Sequence, residues 1–89
     1  MEQKFIAAWE ASRARAAEAG VRMRPLDLKG AKRILSGTRL SDGFHELKAK
    51  GMLKLSLEAL VIDKRFTALF TDEEANEALG RLLEAGYRF

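Results

Sequence analysis

Thr71-Asp72-Glu73-Glu74-Ala75-Asn76-Glu77-Ala78-Leu79-Gly80-Arg81-Leu82-Leu83-Glu84-Ala85-Gly86 carries the start signal, the buried face and the stop signal of one helix. Thr71 and Glu74 have capping-box spacing, in which hydroxyl and carboxylate each satisfy an amide that a helix start leaves unpaired. Asp72, Glu73 and Glu74 add negative charge at the positive end of the helix dipole. Ala75, Ala78, Leu79, Leu82 and Leu83 fall on one apolar stripe. Gly86 suits the left-handed closing position, and Tyr87 then folds back towards Leu82. Gly80 costs roughly 1 kcal/mol relative to Ala in mid-helix, for which a close helix–helix approach is the expected reason.

The same periodicity recurs upstream. Residues 2–19 hold seven alanines among Glu, Gln, Lys and Arg, the strongest helix formers, with Phe5, Ile6 and Trp9 concentrated in the first turns. Gly20 stops that helix, and Val21-Arg22-Met23-Arg24-Pro25 alternates apolar and basic residues up to the single Pro, which reads as an extended connector. Asp27 caps a predicted helix over 28–36, with Leu28, Ala31 and Leu35 facing inward, and Gly37 ends it. Ser41 is the expected cap of a helix near 42–50 that buries Phe44 and Leu47 and stops at Gly51. Over 52–62 a strand period (Leu53, Leu55, Leu57) competes with a helix-forming composition. We expect a short extended piece at 52–55, then a helix near 57–62 capped by Ser56. The fold class predicted is all-α, a bundle of four to five short helices with a minor extended segment near 52–55, in one domain spanning 1–89.

Composition narrows the function. The 89 residues contain no Cys and one His, which excludes disulfides, thiolate metal sites and a Cys nucleophile, and suits a reducing cytoplasm. No apolar run reaches the ~20 residues needed to span a bilayer, and Met1-Glu2-Gln3-Lys4-Phe5 lacks the features of a secretory signal. A cytoplasmic, membrane-free protein is expected. The carboxylates at 72, 73, 74 and 77 are accounted for by the helix start, so no metal is expected. Ser41, Asp42 and His45 are near neighbours, but nothing surrounds them that resembles a nucleophile elbow, and no catalytic residue or cofactor is expected.

Charge distribution is more informative. Residues 1–54 carry 12 Lys and Arg against 6 Asp and Glu, a net +6, whereas residues 55–89 carry 4 against 7, a net −3. The basic half contains the two short helices joined by Gly37-Thr38-Arg39-Leu40, which in outline resemble a helix-turn-helix. The standard DNA-binding motif is absent, because its small or apolar positions fall on Lys32, Arg33, Ser36 and Thr38. The leading expectation is a small non-enzymatic accessory or regulatory protein that binds nucleic acid through residues 28–54. Lys29, Lys32, Arg33, Lys48 and Lys50 would contact phosphates, and Arg39 with the helix start at Ser41 would form the best-organised contact. The alternative is a protein-binding adaptor or inhibitor, homodimeric in one version, that uses Phe5, Ile6 and Trp9 as its interface.

Overall fold

The computed structural model describes residues 1–87. Five α-helices follow one another, α1 (Glu2–Glu18), α2 (Leu28–Ser36), α3 (Phe44–Ala49), α4 (Leu57–Val61) and α5 (Asp72–Glu84), with no strand among the described residues. Single 3₁₀ turns at Leu53–Leu55 and Thr67–Leu69 link α3 to α4 and α4 to α5. The protein is all-α.

Local chemistry explains most boundaries. The Thr71 hydroxyl accepts from the Glu74 amide at 3.1 Å, and the Glu74 carboxylate accepts from the Thr71 amide at 2.8 Å, completing the capping box of α5. Asp27 caps α2 through the Gly30 amide at 2.7 Å, and Ser56 caps α4 through the Ala59 amide at 3.2 Å. The end of α1 closes by two bonds around left-handed Gly20, from the Val21 amide to the Ala16 carbonyl and from the Gly20 amide to the Ala17 carbonyl. The end of α5 repeats this closure, with Tyr87 bonding to the Leu82 carbonyl and Gly86 to that of Leu83.

Four sequence expectations are corrected. The third helix begins at Phe44 and its N-cap is Gly43, not Ser41, whose side chain is drawn into the interior instead. Residues 53–55 form a 3₁₀ turn rather than an extended piece, with Leu53 and Leu55 buried on either side of an exposed Lys54. Gly80 meets no atom within 4 Å of where a Cβ would stand, so no close helix approach requires it. Of the proposed stripe on α5, Ala78 and Leu82 are buried, whereas Leu83 is 56% exposed.

The core draws on every helix. Phe5 packs edge-on against Phe66 and Phe70, at centroid distances of 5.6 and 5.5 Å, and so joins the N-terminal helix to the segment before α5. Helix α4 lies principally against α5, α2 against α5 and α1, and α3 against the turn at Leu53–Leu55. The two basic helices therefore rest mainly on other elements rather than on each other.

Candidate anion-binding cleft

The connector from Gly20 to Asp27 has no regular structure, yet it is strapped to α1. Trp9 Nε1 donates to the Arg24 carbonyl at 2.8 Å, and Arg13 Nε donates to the Met23 carbonyl at 2.7 Å. Alternation along the connector buries Val21 and Met23 and leaves Arg22 and Arg24 exposed. Gly43 then approaches this strap so closely that a Cβ would lie 2.7 Å from Val21 Cγ1, and its φ of 74° is the left-handed value that glycine accepts without strain.

A second set of bonds fixes the segment from Ile34 to Ser41. Arg81 of α5 is buried and spends its guanidinium on three elements at once. Nη1 bonds Glu58 at 3.1 Å, Nε bonds Glu77 at 2.6 Å, and Nη2 donates to the carbonyls of Gly37 at 3.0 Å and Ile34 at 3.3 Å. Glu58 of α4, fully buried, also accepts from the Ser41 hydroxyl at 2.6 Å and from the Ser41 amide at 3.3 Å. No buried side-chain polar atom among the described residues lacks a partner, so this charged network is satisfied throughout.

Between the strap and the fixed segment lies a cleft of about 450 Å³, lined by Arg24, Arg33 and Arg39, by Leu26, Ile34 and Leu40, and by Gly37, Thr38 and Asp42. Three guanidinium-bearing residues thus meet over three half-buried aliphatic side chains. Arg24 bonds Asp42 at 2.8 Å through Nε, which ties the connector to the loop across from it. The guanidinium groups of Arg33 and Arg39 make no hydrogen bond or ion pair with another side chain among the described residues. Both residues are exposed. Such a cleft is suited to an anion with an apolar part, since guanidinium offers planar paired donors for phosphate oxygens and the floor excludes water from one side.

The basic residues named from sequence separate into groups. Arg33 and Arg39 come together in the cleft, joined by Arg24, which sequence reading passed over although the alternation in Val21-Arg22-Met23-Arg24 marked it as outward-facing. Lys29, Lys48 and Lys50 are exposed but do not line the cleft. Lys32 is engaged, bonding Glu74 at 2.7 Å with its ammonium 5.2 Å from the centre of the Phe70 ring. Ser41 is 5% exposed and its hydroxyl is committed to Glu58, so it faces the protein interior rather than a ligand.

The aromatic trio is likewise relocated. Phe5 and Trp9 are fully buried and Ile6 is half-buried against the same core, so the side chains proposed as an interface hold the domain together. Glu58 and Arg81 were missed. Their signal was present: Arg81 stands three residues after Ala78 on the inward face of α5, and Glu58 interrupts the apolar run Leu57–Val61.

Among the described residues no group of three or more His, Asp or Glu side chains is gathered in a way that would hold a metal ion, and no helix is long and apolar enough to cross a membrane. No protein-family model, curated protein or solved structure matches this chain.

Proposed function

We propose that this chain is a small non-enzymatic accessory or regulatory protein that binds nucleic acid, with the Arg24–Arg33–Arg39 cleft as its principal contact. The observation that carries this reading is the convergence of three arginines on one concave site, two of them with guanidinium groups that make no hydrogen bond or ion pair to a side chain among the described residues. Phosphate is the abundant biological anion that such forks fit in a paired geometry. Lys29, Lys48 and Lys50 extend the positive field around the cleft in the half of the chain that carries net +6. Lys32 and Ser41 are left out of the proposed contact set, since the Lys32 ammonium is held between Glu74 and the Phe70 ring and the Ser41 hydroxyl is buried on Glu58, whereas Arg24, although paired with Asp42 through Nε, keeps a side chain that is 82% exposed.

The adaptor or homodimer reading loses its anchors, because Phe5 and Trp9 have no exposed surface to offer a partner. The nucleic-acid reading is tested by fluorescence anisotropy with labelled DNA across a salt series. Affinity must fall with salt at a log–log slope of about −0.9 per phosphate contact on duplex, and an Arg33→Ala/Arg39→Ala variant must lower that slope by about two contacts. Absence of binding at low ionic strength would remove this function from consideration.

A further inference from the structure

We infer that the cleft takes an unpaired nucleotide of a single strand, its base on the Leu26–Ile34–Leu40 floor and its flanking phosphates on Arg33 and Arg39. This rests on the nucleic-acid reading above and specifies which form of nucleic acid is bound. The argument comes from the shape and chemistry of the site rather than from its charge.

A duplex presents its phosphates on a convex surface and keeps its bases stacked inside, so a purely electrostatic site for it needs no apolar floor. Here the arginines surround three aliphatic side chains, each half-buried and packed on the core, in a cleft of about 450 Å³. That volume falls within the range of roughly 300–1,000 Å³ typical of sites that enclose small molecules. An unstacked base offers a flat apolar face to such a floor, and a guanidinium plane stacks on the other face of the base or grips the adjoining phosphate. Asp42 fits the same picture. A carboxylate lining a phosphate site repels phosphate, but it accepts hydrogen bonds from the amino edge of an exposed base.

The mouth of the site is held open from both sides. Trp9 and Arg13 fix the connector bearing Arg24 and Leu26, while Arg81 holds the carbonyls on either side of Ser36 that set the course of the chain towards Arg39. The strand meets a preformed cleft and the protein loses little freedom on binding.

The deciding experiment compares the intact protein's affinity for three probes of equal length at one salt concentration: a mixed-sequence single strand, made as DNA and as RNA, its duplex, and a strand of abasic deoxyribose phosphates. The single strand, in at least one of its two chemistries, should bind at least about fivefold tighter than the abasic strand, which is what burying about 40 Å² of apolar base surface on the aliphatic floor contributes. It should also bind tighter than the duplex. An Arg33→Ala variant should weaken the normal and abasic strands alike, while Leu40→Ser should lower only the affinity for the base-bearing strand, with circular dichroism confirming its fold. Equal affinity for the base-bearing and abasic strands, or preference for duplex, would overturn the base-in-cleft inference and leave the nucleic-acid reading standing. Failure of all probes at low salt would overturn both.

Discussion

Arg81 Nη1 lies 3.1 Å from Glu58 Oε2, with the two side chains 5% and 0% exposed. This ion pair lies beneath the loop that carries Arg39, and through Arg81 Nη2 and the Ser41 hydroxyl it bonds both ends of that loop. Removing one member leaves an uncompensated buried charge, for which about 3–5 kcal/mol is expected. That is about a quarter or more of the stability expected of a chain this size, at roughly 0.05–0.15 kcal/mol per residue. Glu58→Met and Arg81→Met should therefore each lower the urea midpoint steeply. The double variant should recover a substantial part of the loss, since two apolar side chains replace a paired charge. Urea unfolding of the full cycle measures this, and single variants costing under about 1 kcal/mol would contradict the role given to the pair.

Gly43 and Gly80 should respond to alanine in opposite directions. At Gly43 the φ of 74° and the 2.7 Å approach to Val21 Cγ1 add strain to overpacking, for an expected loss of about 2–4 kcal/mol. At Gly80 the helix is regular and a Cβ meets nothing within 4 Å, so alanine should stabilise by up to about 1 kcal/mol. Thermal melts of the two variants give the comparison, and a destabilising Gly80→Ala would refute the second half.

Trp9→Ala should act on the fold rather than on an interface. It empties a fully buried site and frees the Arg24 carbonyl from its 2.8 Å bond, at an expected cost of about 3–5 kcal/mol. The native Trp emission should be blue-shifted and move to the red on unfolding. A variant that remained folded with unchanged stability would place Trp9 outside the core.

The acid sensitivity of the protein should owe part of its size to Glu74. Burial raises the pKa of this carboxyl, but the Lys32 ammonium and the Thr71 amide, both hydrogen-bonded to it, more than offset that and hold it below its ordinary value. A carboxyl depressed in the folded state stabilises fully above its unfolded pKa and loses that contribution as pH falls through the folded one. The urea midpoint should accordingly drop as pH is lowered below the ordinary value of 4.5. Asp63, depressed by hydrogen bonds from the Arg65 side chain and amide, contributes in the same direction. Glu74→Gln, which preserves the capping geometry, should flatten the profile without abolishing it. An unchanged pH profile would exclude Glu74 as a contributor.

Helix identity in this protein is legible because its signals are local. Thr71 with Glu74, Asp27 with Gly30, and Gly20 and Gly86 at the closures act within a few residues, so propensity and capping mark these ends without reference to the rest of the chain. The start of α3 escaped that logic because Ser41 resembles a cap locally, while Glu58, 17 residues on, bonds its hydroxyl and amide. The fate of each charge followed the same division. Lys32 and Arg33 are adjacent and equally basic in sequence, yet one pairs with Glu74, 42 residues away, and the other opens onto the cleft. Caps, breakers and apolar periodicity are short-range properties of the polypeptide, and they specified the helices. Burial and ion pairing arise where distant segments meet in three dimensions, and there the packing of α4 and α5 against the basic half selected which arginines face outward together.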